Sequence, residues 1–412
     1  MSDENKQIDR LEKAVDKLNQ TVENILREKY ASEGFTSPPK SGIIPNVRVK
    51  RIDKSRIRLS DCSPDRGKYA VVMKRVNASE AVDKQLIKDF KIVILDAMTM
   101  TDSYVNLYKF TLLGNTVFHA FTEPHQVAER IKDANAVITN KVKITAEDMD
   151  NAPELVYIGV MATGYDVIDT EYASKSGITV TNVPDYSTDA VAQHTFSLIL
   201  NHFSKVAQYN NFVQNGGWQR TKLFSPCVYE THELKNKSIG IIGFGKIGRQ
   251  VAKIASAFNM TVYVCHPRPL TNSDKKKGYH RVSFSHLISY CDVITIHCPL
   301  TEDTKNMFNK DVFNRCNSNL YLINTARGAI VNSDDLYYAL VNKKISGAAL
   351  DVLEAEPMSA DCKLLNLPNL TITPHVAWGH IESRRRLMNT LYYNLFKFIT
   401  GHPVHVVNKP GS

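Results

Sequence analysis

The stretch SIGIIGFGKIGRQVAKIASAFNMTVYVC, Ser238 to Cys265, constrains this chain more than any other. Ser238 to Ile242 read as a strand. Ile247, Val251, Ile254, Ala255 and Phe258 recur at helical spacing, and Thr261 to Cys265 read as a second strand. Between the first strand and the helix stand Gly243, Gly245 and Gly248, a G-x-G-x-x-G in the context that gives it meaning. Gly243 permits a tight turn. Gly245 leaves room for a pyrophosphate to approach the backbone. Gly248 lets helix and strand pack closely, and the helix N-terminus then faces the anion. Lys246 and Ile247, which open the helix, join the three glycines as candidate dinucleotide contacts.

The position after the second strand usually carries an acid that holds the ribose 2′-hydroxyl. Here it is His266, with Arg268 just beyond and Lys275, Lys276 and Lys277 in the same region. An acid repels a 2′-phosphate, whereas Arg268 can pair with one. The reading points toward NADP(H), and a neutral or cationic residue at this place also tolerates NAD(H).

Repeated strand–helix units extend on both sides of this motif. KIVILDA, HQVAERIKDANAVITN, PELVYIGVMATGYDVID and GITVTNVP each supply a strand before it. TDAVAQHTFSLILNHFSKVAQYNNFVQNGG reads as one long helix, and alternation continues to about Pro374. Such repetition implies a parallel sheet with helices on both faces. Ahead of this α/β region, Ile8, Leu11, Val15, Leu18, Val22 and Ile25 form a heptad seam. The expected organisation is a coiled-coil helix at 1–33 and a linker with a small β-element at 34–89. A substrate lobe at 90–185 follows, completed by 378–412, with a dinucleotide lobe at 186–377.

Composition excludes several classes. With 43% hydrophobic and 23% charged residues, the 412-residue chain is ordinary for a globular protein, and no apolar run reaches membrane-spanning length. The polar start MSDENKQIDR fits neither a signal nor a transit peptide. Seven scattered cysteines, without Cys-x-x-Cys, indicate reduced thiols in a cytoplasmic protein and no metal site. The net charge of +9 is met by an anionic cofactor and substrate as readily as by nucleic acid. The basic cluster from Arg48 to Arg58 lacks interleaved aromatic residues and reads as a solvated face.

Four further stretches, HCPLTEDT, NTARGAIVN, GAALDVLEAEP and TPHVAWG, stand in order downstream. With them the chain resembles the D-isomer-specific 2-hydroxyacid dehydrogenase family from about Lys91 to Val407. It looks nearest to the glycerate dehydrogenase (hydroxypyruvate reductase) branch, through ITNKV, ATGYDVID and TPHVAWG followed by ESRRRL. The resemblance implies two similar α/β lobes with an active cleft between them. The first is a flavodoxin-like substrate lobe, and the second an inserted NAD(P)-binding Rossmann lobe. It implies that Arg327 binds the substrate carboxylate and carbonyl, that Glu356 pairs with the catalytic histidine, and that His375 is the general acid/base. It places Asp351 near the nicotinamide carboxamide and Pro299 along the nicotinamide pocket, with Thr304 and Ala326 as further cofactor contacts. It implies that the loop at Ala162, Thr163 and Gly164 offers backbone N–H groups to the substrate carboxylate, with Lys141 a candidate for the rim. The stretch NNFVQNGGWQRTKLF resembles the family's dimerisation arm, so a homodimer or larger homo-oligomer is expected.

These residue types suit the chemistry on their own terms. Hydride addition to the carbonyl carbon of a 2-oxo acid puts negative charge on the carbonyl oxygen, and a protonated imidazole can donate to it. A carboxylate beside the imidazole favours its cationic form and fixes its orientation. A guanidinium holds a carboxylate through paired hydrogen bonds that lysine cannot copy. The expected activity is NAD(P)H-dependent reduction of hydroxypyruvate or glyoxylate. The same chemistry on a D-lactate or 3-phosphoglycerate pair is an alternative, and so is a nucleotide-sensing scaffold of corepressor type. Three departures from the family pattern stand out: Gln193 where glutamate is frequent, His405 where asparagine is common, and His380 in an atypical place.

Overall fold

A computed structural model describes residues 89–100 and 107–411. The heptad seam, the linker, the small β-element and the basic cluster all lie outside the described residues. The chain divides into two compact units, one reaching Pro184 and resuming at Arg385, the other spanning Asp185–Arg384.

In the first unit β1 (Lys91–Ile94), β2 (Asn115–Phe118), β3 (Ala136–Thr139), β4 (Tyr157–Val160) and β5 (Thr179–Thr181) form a parallel sheet of order β2-β1-β3-β4-β5. That is the flavodoxin-like order. The central strands are apolar on both faces because helices cover both faces. Ile92, Val93, Ile94, Val137, Ile138, Ile158 and Val160 are wholly buried, each contributing about 1.5–3 kcal/mol of transfer free energy. Short helices α1 (Val127–Ile131), α2 (Ala146–Asp150) and α3 (Thr170–Lys175) connect them. The sequence fixes where α2 starts, since Thr145 and Asp148 cap each other reciprocally. The C-terminal segment returns to this sheet: Val407 donates its N–H to the Val180 carbonyl at 2.9 Å, and Asn408 accepts from Val180 N at 2.9 Å. The departure at His405 is absorbed locally, its Nδ1 lying 2.9 Å from Asn394 Oδ1.

The second unit opens with α4 (Thr188–Ser204), α5 (Val206–Gln214) and α6 (Gly217–Thr221). The single long helix expected here is in fact broken. Lys205 adopts φ 53°, ψ 33°, which ends α4 in a left-handed turn and starts α5 in a new direction. No glycine or proline marks the break, so helical periodicity ran through it. Then β6 (Ser238–Ile242), α7 (Lys246–Ala257) and β7 (Thr261–Cys265) form the expected βαβ unit. After α8 (Asn272–Lys276) come β8 (His280–Arg281), α9 (Phe284–Tyr290), β9 (Val293–Ile296), α10 (Lys310–Phe313), β10 (Tyr321–Asn324), α11 (Ser333–Val341), β11 (Gly347–Leu350) and β12 (Leu370–Ile372). The parallel order β12-β11-β10-β9-β6-β7-β8 is the Rossmann order with one strand added. Two apolar clusters, one on each face, hold it: Phe196, Ile239, Val251 and Val262 on one, Leu287, Ile294, Leu322 and Leu340 on the other. The last helix, α12 (Ile381–Ile399), buries Leu387, Leu391 and Leu395 at helical spacing. Leu391 packs where a side chain on Gly159 would come within 3.1 Å of it. No described helix is long and apolar enough to cross a membrane.

Candidate active site

The residues singled out by motif in the second unit lie at or just beyond the carboxyl ends of its strands, where open α/β sheets place their ligands. Around Gly243 the expected physical tasks are all visible. Gly243 has φ 89°, and a Cβ there would stand 2.6 Å from Cys298 N and the His297 carbonyl. A Cβ on Gly248 would stand 2.3 Å from the Gly243 carbonyl oxygen. Gly245 is different: nothing lies within 4 Å of the place its Cβ would take. It is also the N-cap of α7, with no side chain to satisfy the first amides of that helix. The turn thus offers open space above bare N–H groups, and a pyrophosphate fits both. Lys246 stands beside this turn in an ion pair with Asp185, while Ile247 packs its side chain on the core.

After β7, His266 Nδ1 accepts the Arg268 N–H at 3.1 Å. Arg281, at the end of β8, donates Nε to the His266 carbonyl at 2.9 Å and a terminal N–H to the Pro267 carbonyl at 3.0 Å. Beyond β9, burial pushes the His297 imidazole down to about 3, and its Nε2 meets Thr295 Oγ1 at 2.9 Å. The loop that follows is closed by Thr304, whose hydroxyl donates to the Pro299 carbonyl at 2.8 Å.

The ends of β10 and β11 are tied together. Buried Asn324 donates Nδ2 to the Arg327 carbonyl at 2.8 Å and accepts the Ala326 N–H at 3.0 Å. Its own carbonyl accepts the Asp351 N–H at 2.9 Å. Gly328 lets the two loops touch, since a Cβ there would lie 1.9 Å from the Leu353 carbonyl carbon. The Arg327 guanidinium donates to the Ala326 carbonyl at 2.9 Å. Burial raises the phenol of nearby Tyr186, and the Arg327 charge opposes that rise.

His375 follows β12 with φ 54°, left-handed for a residue that has a Cβ. The surroundings hold it there. Its N–H donates to the Asp351 carbonyl at 2.7 Å. The Asp351 carboxylate accepts from Val376 N and Ala377 N, both at 2.9 Å, and from Thr373 Oγ1 at 2.6 Å. Asp351 is therefore turned inward, 2% exposed, and grips the His375 turn. His194 Nε2 lies 3.1 Å from Thr373 Oγ1. Burial holds the His194 imidazole below the usual range, with Asp351 opposing that effect. His375 Nδ1 stands 2.7 Å from Glu356 Oε2, and Glu356 Oε1 accepts the Leu353 N–H at 2.9 Å. With Nδ1 committed to the carboxylate, Nε2 is the ring atom available for proton exchange.

Sequence reasoning did not find Asn324, His194, Thr373 or Arg281. Asn324 and Thr373 stand inside NTARG and TPHVAWG but were given no task there, and the tasks of His194 and Arg281 rest on contacts 179 and 14–15 positions away. Two departures also meet: Gln193 Nε2 lies 3.3 Å from His380 Nε2, 187 positions away. The loop at Ala162, Thr163 and Gly164 belongs to the first unit. Thr163 Oγ1 donates to the Val183 carbonyl at 2.9 Å, and Asn182 Nδ2 donates to the Thr163 carbonyl at 2.7 Å. In the same unit the buried Asp96 carboxylate accepts from the Asn140 and Lys141 amides.

Residues 196–377 match the NAD binding domain model of the D-isomer specific 2-hydroxyacid dehydrogenases. The chain is 36% identical over 324 residues to a hydroxypyruvate reductase of Blautia hydrogenotrophica, covering 77% of this chain and all of that one. It is 35% identical over 320 residues to a glycerate dehydrogenase of Methylorubrum extorquens, covering 77% and 98%. Its fold matches an NADPH-dependent glyoxylate/hydroxypyruvate reductase of Sinorhizobium meliloti, solved with NADP and malonate. There the TM-score is 0.69 at 27% identity, covering 78% of this chain and 98% of that one. A nicotinamide dinucleotide suits the open glycine turn, a 2-hydroxy acid suits the family, and the chain belongs to the D-isomer specific 2-hydroxyacid dehydrogenases.

Proposed function

We propose that this dehydrogenase reduces hydroxypyruvate or glyoxylate to the D-2-hydroxy acid, with NADP(H) as its preferred cofactor. The observation that carries the reading is the 2.7 Å contact between His375 Nδ1 and Glu356 Oε2 on a histidine whose left-handed backbone is held by Asp351. The nicotinamide, when bound, supplies the hydride. Everything else falls to the chain's own side chains.

Glu356 fixes the imidazole and balances its charge, so His375 donates from Nε2 to the carbonyl oxygen as charge develops there. Arg327 holds the substrate carboxylate, its main chain pinned by Asn324. The glycine turn and the N-terminus of α7 receive the pyrophosphate, and the loop at His266 and Arg268 receives the adenosine ribose. The relatives named as hydroxypyruvate reductase and glycerate dehydrogenase support this choice of acid.

The test is a set of initial rates with hydroxypyruvate, glyoxylate, pyruvate and phosphohydroxypyruvate, each with NADH and NADPH. Hydroxypyruvate or glyoxylate with NADPH should give the highest kcat/KM, and His375→Ala should abolish turnover. A higher kcat/KM for pyruvate or phosphohydroxypyruvate would overturn the substrate reading. Full activity in His375→Ala would overturn the mechanism.

A further inference from the structure

The region from His266 to Arg281 contains five residues of fixed positive charge, Arg268, Lys275, Lys276, Lys277 and Arg281, and a single acid, Asp274. That acid is already used. Asp274 is 3% exposed, takes Arg249 at 2.5 Å and caps α8 through Thr271. No carboxylate of this region is left to accept from a ribose hydroxyl.

The strong acceptors that remain beside the ribose position are backbone carbonyls. Those of His266 and Pro267 both point to Arg281, at 2.9 and 3.0 Å. Left open, such oxygens would accept from a 2′-hydroxyl and repel a 2′-phosphate. The His266 ring belongs to the same turn, its Nδ1 lying 3.1 Å from Arg268 N and 3.3 Å from the Arg268 carbonyl oxygen. Pro267 and Pro269 stiffen the turn and add no N–H of their own.

We propose that Arg281 is a specificity-determining residue: by clamping the His266 and Pro267 carbonyls it turns the loop after β7 into a donor surface for the 2′-phosphate of NADP(H). The guanidinium can bridge two successive carbonyls because its N–H groups form a rigid fork, and a lysine ammonium cannot copy that geometry. Arg281 thereby positions the loop, while Arg268 and the His266 ring supply the contacts. This rests on the cofactor reading above, and the experiment separates the two.

The full chain, as wild type, Arg281→Lys and Arg281→Met, is titrated calorimetrically with 2′,5′-ADP and with 5′-AMP. Melting temperatures are recorded alongside. Wild type should bind 2′,5′-ADP tighter than 5′-AMP by about tenfold or more, the scale of one charge-assisted contact. Both variants should lose most of that ratio while 5′-AMP affinity stays at its wild-type value. If Arg281→Lys keeps the wild-type ratio, positive charge suffices and the clamp is wrong. If 5′-AMP affinity falls by the same factor as 2′,5′-ADP affinity, Arg281 only maintains the fold and the inference is overturned. A wild-type ratio near one would overturn the cofactor reading together with the inference. A wild-type preference that survives in both variants would overturn the inference alone.

Discussion

Replacing Asp351 with asparagine tests whether the inward carboxylate is what holds His375 in place. In the native turn one oxygen accepts from Thr373 Oγ1 and Val376 N, and the other from Ala377 N. An asparagine has one acceptor oxygen and one NH2 group. Its least costly placement keeps the oxygen on Thr373 and Val376 and sets NH2 against the Ala377 N–H. That orphans a donor in a site with 2% exposure. A buried unsatisfied group costs about 1–3 kcal/mol. The left-handed backbone of His375 stores about 1–2 kcal/mol, so the grip and the strain are of the same size. The turn should therefore relax, carrying the imidazole away from Glu356. If the full cost appears as lost placement, kcat/KM for hydroxypyruvate falls by about 5- to 150-fold. The assay is steady-state kinetics, with 2′,5′-ADP titration as a control. In the proposed function the adenosine subsite is the loop after β7, so that affinity should not move. A variant within about twofold of wild type in kcat/KM would refute the reasoning, because that change is below 0.5 kcal/mol.

Gly328→Ala should cost more than a helix-propensity change: its Cβ would overlap the Leu353 carbonyl carbon at 1.9 Å, forcing apart the loops that carry Arg327 and Glu356. We expect most activity to be lost and the melting temperature to fall, as overpacking costs about 1–3 kcal/mol or more. Lys205→Gly should stabilise the chain by about 0.5–1 kcal/mol in urea unfolding, since glycine takes φ 53° without a Cβ penalty. Acid should destabilise the second unit in a defined window. Burial pushes His202 down to about 4 and His297 to about 3, below the ordinary 6.5. Below pH 6.5 the unfolded chain binds protons that these imidazoles refuse, so their stability contribution is lost as pH falls toward 4 and then 3. His202→Phe, which keeps a ring against Tyr321 at the native 3.7 Å stack, should flatten the fall in melting temperature between pH 6.5 and 4.

Local chemistry determined a good deal. The period of the apolar residues around the glycine turn placed β6, α7 and β7, with both strands at the bounds expected. That works because a βαβ unit is short: Gly248 is required by the nearby Gly243 carbonyl and Gly245 stands open, although Gly243 is also pressed by His297 and Cys298 beyond the end of β9. The ordered motifs NTARG, LEAEP and TPH singled out Arg327, Glu356 and His375 through the family resemblance, and each follows a strand of the second sheet. The break at Lys205 was illegible because no glycine or proline stands there to announce a left-handed turn. What tertiary structure alone decided is how the site is held. Asp351 clamps the His375 turn. Gln193 meets His380, and Arg281 closes over the His266 loop. These pairs are joined by the way whole elements pack, helices as well as strand ends, and such hydrogen bonds leave no period or spacing for a sequence to display.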